Sequence, residues 1–323
     1  MKTLLKYLGL VLCAGIWLSG STWAQTFPSK PVRIVVPFGA GGVADLTART
    51  VAQKLSESWG QPVVIDNKPG AGGVVAGDAV AKAEPDGHTL LLMSNGTAVS
   101  AGLFKALPFD TARDFAPVST LGFFGLAIVV PAASPFKTLG DLLAFAKANP
   151  GKLNLGTINI GSTQNLAAEL FKTAAGIDLQ IVPYNGSPAV VTALRGGQVE
   201  AAIEILAPML PQINARAVRA LAVTGAKRVA VLPDVPTAKE SGLSTFVVSS
   251  WNALAAPAKT SQGVIARLNK DVVAALNAPD VKKRLHDQNV EAQSSSPEQA
   301  SELLASEIKR WGDVIVRAKV PQQ

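Results

Sequence analysis

The 323-residue sequence predicts an α/β fold in which two domains are joined by two crossings of the chain. Three observations support this prediction. Apolar runs of strand length alternate with segments whose apolar residues recur at helical spacing. The strand runs are continuously apolar, which is typical of parallel strands that helices cover on both faces. This alternating pattern occurs twice, and a tail with long helical segments follows it.

The first 24 residues have the pattern of a secretory signal peptide and are expected to lie outside the fold. Lys2 and Lys6 precede the uncharged apolar stretch 8–18, which is too short for a membrane-spanning helix of about 20 residues. Small residues precede a cleavage site near Ala24, so we expect an exported mature chain. Cleavage also removes Cys13, the only cysteine, so neither disulfides nor thiolate chemistry is expected after it.

The mature chain is mildly basic, because removal of Lys2 and Lys6 leaves 28 basic against 23 acidic residues. A positive field favours anionic ligands. The sequence has no basic run with interleaved aromatic residues, so nucleic acid is not an expected partner. Clusters of metal-ligating residue types are also absent from the sequence. We therefore predict neither a metal nor a cofactor.

The first repeat reads as β-α-β-α-β. Strands are predicted at 32–36, 63–65 and 89–93. The helix between the first two strands has an apolar stripe of Ala48, Ala52, Leu55 and Trp59, and a helix of small residues follows at 74–82.

The second repeat has predicted strands at 127–130, 153–155, 179–182, 199–203 and 220–223. Thr138 and Asp141 have the spacing of a capping box and predict the start of a helix. A second helix is predicted from the stripe of Leu166, Leu170, Phe171 and Ala174.

The tail has extended segments at 246–248 and 254–256, after which only helices are predicted. These helices have apolar stripes that need burial, and the first domain is the nearest surface. The chain then crosses between domains near 120–128 and 246–254, and two crossings make a hinge. We expect domain I to comprise 25–124 and 250–323, and domain II to comprise 125–249.

Two loops, 37–45 and 156–163, each join a buried strand to the start of a helix. Helix N-termini leave backbone N–H groups without internal partners and have partial positive charge. Glycine lets a ligand approach the backbone, so each loop is a candidate anion cradle at the carboxyl end of its strand. Ordinary tight turns are the alternative. The candidate ligand-binding residues here are Phe38, Gly39, Ala40, Gly41, Gly42, Asp45, Thr157, Asn159, Gly161, Ser162, Thr163 and Asn165.

Further polar residues follow other predicted strands, and each has two interpretations. Ser94, Asn95 and Thr97, like Tyr184 and Asn185, are either turn and cap residues or ligand contacts. Glu204 either begins a solvent-facing helix or is a carboxylate in the cleft. Asp45 either caps its own helix or meets a cationic group on the ligand. Trp251 is either a core residue or a platform for the ligand.

Enzymatic functions are less well supported. Residues 39–44 approximate a dinucleotide-binding G-x-G-x-x-A motif, and Asp66 stands where a ribose-binding acid would be. Pro37 and Phe38 interrupt the required tight turn, however, and an exported protein is away from the nicotinamide pool. The sequence has no G-x-S-x-G motif. We expect His88 and His286 to be surface residues, with His88 at the end opposite the cleft.

The chain resembles the Bug family, the substrate-binding proteins of tripartite tricarboxylate transport systems, over essentially the whole mature sequence. The matching stretches are PVRIVVPFGAGGVADLTAR, QPVVIDNKPGAGG, EPDGHTLL, IVPYNGSPAVVTALRGGQVEAA, RALAVTGAKR, LPDVPTAKESG and WNALAAPA. The resemblance implies a periplasmic binding protein fold of type II, also called a Venus flytrap. It implies carboxylate, amino-acid or aromatic-acid ligands, held between the two loops by backbone amides and ordered waters.

The resemblance also has consequences for partners. It implies a small organic carboxylate as ligand and either the permease subunits of such a transporter or a membrane sensor as partner. The protein is expected to be a periplasmic monomer that catalyses no reaction.

The second loop departs from the family pattern. Residues 157–160 replace most of a Gly-Ser-x-Gly-x-Gly-Ser stretch, Asn165 stands where a histidine is usual, and Glu204 replaces an aspartate. As a hypothesis, Ile158 and Ile160 favour a ligand with a more apolar body than citrate.

Overall fold

The structure is a computed structural model that describes residues 27–317 and 320–323. The predicted signal peptide, residues 1–24, lies outside the described residues. Within these two described ranges, no helix is both long and apolar enough to cross a membrane.

The first half of the molecule is built on a parallel three-stranded unit. Strand β1 (Val32–Val36) lies between β2 (Val63–Asn67) and β3 (Thr89–Ser94). The side chains of Leu90 to Met93 are at most 1% exposed, so neighbours cover β3 on both faces. The continuous apolar run of β3 in the sequence predicts burial of this kind.

Strand β4 (Phe115–Pro131) belongs to both halves of the molecule. Its first part pairs antiparallel with β9 (Ser249–Pro257), which also pairs with β3. From Leu126 onward, β4 pairs antiparallel with β7 (Ala201–Ile205) and β8 (Val218–Val223). The chain therefore passes from one half to the other at Gly125 and Leu126.

The second half repeats the parallel arrangement. Strand β5 (Asn154–Ile158) lies between β6 (Gln180–Tyr184) and β7, and both pairings are parallel. The strands follow the order β2-β1-β3-β9-β4-β7-β5-β6. The fold is therefore the predicted α/β fold with two halves.

Ten α-helices in the described residues cover the sheets. They are α1 (Val43–Trp59), α2 (Val74–Ala81), α3 (Asn95–Leu103), α4 (Leu139–Ala148), α5 (Thr163–Ala175), α6 (Ser187–Arg195), α7 (Leu206–Asn214), α8 (Gln262–Asn277), α9 (Pro279–Asp287) and α10 (Pro297–Arg317). Helix α4 begins with the predicted capping box of Thr138 and Asp141. Helix α10 packs against α3 and β4, so the tail buries its apolar stripe on the first half.

The second part of β4 divides two hydrophobic cores. Leu126, Ile128 and Val130 belong to the large core, which extends through the first half and under α5. Ala127 and Val129 belong to a smaller core beneath α6 and α7. Because successive strand residues point to opposite faces, one apolar run supplies both cores.

The sequence prediction for β4 was too short, because it covered only 127–130. Pro117 and the glycines at 122 and 125 break the apolar pattern in the part that was missed. The structure accommodates Pro117 and Gly122 at two register shifts against β9, where β-bulges absorb residues that do not fit a regular ladder.

The prediction that only helices end the chain was also wrong. Strand β10 (Val290–Ala292) pairs antiparallel with β4 at 122–124. Three residues are too few to show a strand period. Residues 246–248 precede β9 without forming a regular strand, and the Val248 N–H donates to the Thr224 carbonyl.

Candidate functional site

A cavity lies between the two halves, where strands end and helices begin. It offers about 30 Å³ of space to the centres of water molecules, so the two halves lie close together around it. The residues that line the cavity are Phe38, Gly39, Gly42, Val43, Ala44, Ser94, Phe124, Ile158, Thr163, Gln164, Gly186, Ser187, Ile205, Ser250 and Asn252.

Five helices direct their N-termini at this cavity: α1, α3, α5, α6 and α7. Helices α1, α6 and α7 follow Gly42, Gly186 and Ile205, and at none of these does a side chain cap the helix. Backbone N–H groups in the first turn of an uncapped helix lack protein partners. The aligned helix dipoles also make the cavity favourable for negative charge.

The other two helices have serine caps. The Ser94 hydroxyl accepts the Gly96 N–H at the start of α3, and Thr97 completes a capping box there. The Ser162 hydroxyl accepts the Asn165 N–H at the start of α5. Capping occupies some of the first-turn N–H groups of these two helices. Among the uncapped helices, α6 and α7 have a proline without an N–H in the first turn, Pro188 and Pro208, so α1 offers the most first-turn N–H donors.

The first loop is held in shape by the buried carboxylate of Asp45. One of its oxygens accepts the Gly41 N–H at 3.0 Å, and Arg49 donates to both oxygens. Nδ2 of Asn67 donates to Oδ1 of Asp45 at 2.9 Å and to the Phe38 carbonyl at 3.0 Å. Asp45 therefore organises the loop and does not face the cavity.

These contacts keep Asp45 ionised. Burial alone would raise its pKa, but hydrogen bonds from Arg49, the Gly41 N–H and Asn67 hold the pKa below its usual value. An ionised Asp45 accepts charge-assisted hydrogen bonds, which are stronger than neutral ones.

The halves touch at glycines. A Cβ on Gly39 would lie 2.9 Å from the Asn185 carbonyl oxygen, and a Cβ on Gly161 would lie 2.8 Å from Gly72 Cα. The Gly72 N–H also donates to the Ile160 carbonyl at 2.8 Å. Closure to this distance therefore requires residues without side chains on both loops.

Beside the cavity lies the fully buried carboxyl of Glu204. Its Oε1 accepts the Ile205 N–H at 2.7 Å and Nε2 of Gln164 at 2.6 Å. The Ser187 hydroxyl is near this carboxyl without a hydrogen bond of regular geometry. Burial raises the pKa of Glu204 to about 7, although Gln164, Ile205 and Ser187 each lower it. The solvent-facing interpretation of Glu204 is therefore wrong.

Strand β9 supplies the floor of the cavity. The hydroxyls of Ser250 and Thr163 are 2.9 Å apart across the two halves. Asn252 is fully buried between Ser94 on β3 and Gly122 on β4. Neither Oδ1 nor Nδ2 of Asn252 has a hydrogen-bond partner among the described residues.

Five of the predicted site residues line the cavity: Phe38, Gly39, Gly42, Ser94 and Thr163. A second group supports the loops from behind. Asn165 accepts the Gly161 N–H and donates to the Thr157 hydroxyl at 3.5 Å, and Asn95 donates to the Ser249 carbonyl.

The remaining predicted residues lie at the outer edges of the loops. Ala40, Gly41 and Asn185 are exposed, whereas Asn159 and Tyr184 are half-buried. The Asn159 amide donates to Asn185 at 3.4 Å, so these two join the loops of the second half.

Sequence reasoning missed the side chains of Gln164, Ser187, Ser250 and Asn252. Asn252 had a usable signal, because it is a polar residue beside a continuously apolar stretch, 253–257. Gln164 had none, since a glutamine in a first helical turn is ordinary.

The structure gives no support to a dinucleotide or hydrolytic site. Asp66 forms ion pairs with Arg33 and Lys68, each at 3.5 Å. Phe38 lines the cavity beside the glycine loop. His88 is buried, not on the surface as predicted, because Phe27 packs on its ring at 5.0 Å. His286 is exposed. Within the described ranges, no cluster of residues suits a metal ion.

Comparison with known proteins identifies the family. The model of the tripartite tricarboxylate transporter family receptor matches residues 47–320. The chain belongs to this family. A relative from Pseudomonas sp. (strain P51), described as a UPF0065 protein in the tcbD-tcbE intergenic region, is 40% identical over 314 residues, which are 95% of this chain and 94% of the relative.

Solved structures of related receptors have the same fold. The periplasmic binding protein BugD has a TM-score of 0.88 at 32% identity, covering 92% of this chain and 100% of its own. MatC from Rhodopseudomonas palustris with bound malate has a TM-score of 0.85 at 33% identity, covering 90% of this chain and 100% of its own. Rpa4515 from R. palustris with adipate has a TM-score of 0.87 at 34% identity, covering 91% of this chain and 98% of its own. The fold is thus that of a type II periplasmic binding protein with two α/β domains.

Proposed function

We propose that this receptor captures a small organic carboxylate between its two domains in the periplasm, delivers it to the permease of a tripartite tricarboxylate-type transporter, and catalyses no reaction. The observation that carries this proposal is the convergence of three uncapped helix N-termini on one interdomain cavity. A carboxylate is the ligand group that accepts several such N–H donors at once.

The absence of charged side chains from the cavity wall is consistent with an anion that binds to backbone groups and not to a counter-ion. The residues that line the cavity include no lysine, arginine, aspartate or glutamate within the described part of the chain. Backbone dipoles then supply the attraction. In a site enclosed by protein, such dipoles act more strongly than they would in water.

The proposed division of the chain follows its crossings. Domain I comprises 25–124 and 250–323, and domain II comprises 125–249. The crossing in β4 at Gly125 is matched by a second crossing just before β9, where the Val248 N–H donates to the Thr224 carbonyl. Two adjacent crossings of this kind permit rotation of one domain against the other.

The ligands of relatives agree with a carboxylate. MatC was solved with malate and Rpa4515 with adipate, two small organic acids. Phe38, Phe124, Ile158 and Ile205 also line the cavity of this chain, which supports a partly apolar ligand body. Ile160 is not among the lining residues, so the hypothesis of an apolar ligand rests on Ile158 and these neighbours.

A thermal-shift screen of the mature chain tests the proposal. The panel contains aliphatic, aromatic and tricarboxylic acids, each beside its methyl ester as the matched uncharged control. A ligand that binds only the folded state at one hundred times its Kd adds about 2.7 kcal/mol of stability. We expect a shift with one class of acid and none with its esters. Equal shifts with acid and ester would contradict carboxylate recognition.

A further inference from the structure

Two side-chain amides line the cavity, and one of them, Asn252, has buried polar groups that the described residues leave unpaired. Asn252 is fully buried, lines the cavity, and has no partner for Oδ1 or Nδ2 in the described residues. Leaving a buried donor and a buried acceptor unpaired is costly, and such groups in a ligand cavity indicate what the ligand must supply.

The second amide is that of Gln164, whose orientation is fixed by Glu204. Oε1 of Glu204 accepts the Ile205 N–H, which can only donate, so this oxygen is an acceptor. The Gln164 group 2.6 Å from it must then be the NH₂. The polar atom that Gln164 retains for a ligand is therefore its carbonyl oxygen, an acceptor.

The cavity thus presents two amide oxygens and the NH₂ group of Asn252, besides the helix N-termini. A hydroxyl group matches this set, because it donates one hydrogen bond and accepts another. An ammonium group can only donate and would leave the Asn252 N–H unpaired. A methylene group would leave all three polar groups unpaired.

We infer that Asn252 and Gln164 select a hydroxyl group on the ligand, so that the receptor prefers hydroxy-substituted carboxylic acids to their unsubstituted and amino-substituted counterparts. This inference rests on the proposed function, since the carboxylate is assigned to the helix N-termini. It makes Asn252 and Gln164 specificity-determining residues.

Three sets of nearly isosteric acids test the inference by calorimetric titration of the mature wild-type chain. The sets are lactate, alanine and propionate; malate, aspartate and succinate; and mandelate, phenylglycine and phenylacetate. In the set whose carbon skeleton fits, we expect the hydroxy acid to bind at least about tenfold more tightly than both counterparts, because a site built for a hydroxyl rejects the analogue that lacks it.

The variant Asn252→Leu removes both unpaired groups at similar volume. We expect it to abolish the preference, so that the ratio of the affinities for the hydroxy acid and the unsubstituted acid falls to about one. Thr111→Val is the matched control, because it removes a buried, unpaired hydroxyl on the segment before β4 that does not line the cavity. It should preserve the preference.

The outcomes separate the two proposals. Equal binding of a hydroxy acid and its counterparts, or tighter binding of the amino acid, would overturn this inference and leave carboxylate capture intact. Failure of every acid in all three sets to bind would remove carboxylate capture, and this inference with it. The wild-type comparison alone decides between these results if Asn252→Leu does not fold.

Discussion

The amide of Gln164 donates a 2.6 Å hydrogen bond to the carboxyl of Glu204, which is fully buried beside the ligand cavity. A carboxyl in this position is costly to ionise, because it is fully buried and the described residues supply no cation to it. Its pKa is raised to about 7 by burial. The Glu204 carboxyl therefore links the stability of the protein to pH.

The pH dependence has a definite sign. The pKa of Glu204 rises from an ordinary 4.5 to about 7 on folding, so its contribution is fully present below pH 4.5 and is lost as pH rises through 7. Across this window, wild type should lose on the order of 3 kcal/mol of stability relative to Glu204→Gln, which remains neutral. Urea unfolding from pH 4.5 to 8 measures this difference.

The control for this experiment is Glu302→Gln, which replaces an exposed carboxyl on α10. It should follow the wild-type curve within about 0.5 kcal/mol at every pH. If the wild-type and Glu204→Gln curves stay parallel between pH 4.5 and 8, Glu204 is ionised in the folded protein and the assignment is wrong.

Removal of the Asp45 carboxylate should loosen the first loop. Asp45→Ala leaves the Gly41 N–H and the Asn67 amide without their acceptor, and charge-assisted hydrogen bonds contribute about 1.5–3 kcal/mol each. We expect a loss of about 2–3 kcal/mol in the free energy of unfolding and a weaker affinity for the ligand. Asp66→Asn should change stability by less than about 1 kcal/mol, because its ion pairs are partly exposed. Equal effects of the two variants would contradict the role of Asp45.

Closure of the domains should be sensitive to one methyl group. In Gly39→Ala the new Cβ would lie 2.9 Å from the Asn185 carbonyl oxygen of the other domain. Because this contact exists only in the closed form, we expect ligand affinity to fall at least about tenfold, or 1.4 kcal/mol, with little change in the melting temperature of the free protein. Titration and thermal unfolding measure the two quantities.

Gly263→Ala is the matched control for that experiment. Nothing lies within 4 Å of a Cβ at Gly263, in the first turn of α8. It should leave ligand affinity unchanged. A wild-type affinity in Gly39→Ala would mean that the two loops remain further apart when the ligand binds.

The glycine loop and the second strand–helix loop could be predicted from sequence because their signals are local. A buried strand, a glycine and a helix start are contiguous in 37–45, and the structure places Phe38, Gly39 and Gly42 in the cavity. The same reasoning placed Ser94 and Thr163 there, at the starts of two other helices. Apolar runs likewise predicted the parallel strands.

The residues that sequence could not predict depend on distant parts of the chain. Asn252 faces the cavity only because β9 returns from the tail and inserts between β3 and β4. Gln164 acquires its role from Glu204, which is 40 residues away. Asp45 had two interpretations until its partners Gly41, Arg49 and Asn67 were known, and they show it to be a support of the loop.

The most direct test of the central claim is the distance between the domains during ligand binding. Asn214 and Asp287 are exposed and line one groove from opposite sides of the cleft. The only cysteine of the sequence, Cys13, lies in the predicted signal peptide, so Asn214→Cys and Asp287→Cys give two specific labelling sites for energy transfer in the mature chain. Val64→Cys with Asp287→Cys, both in the proposed domain I, is the control pair. The account predicts that a bound carboxylate shortens the first distance and not the second, whereas its methyl ester changes neither. Binding of the acid with no change in the distance between the domains would contradict capture by closure.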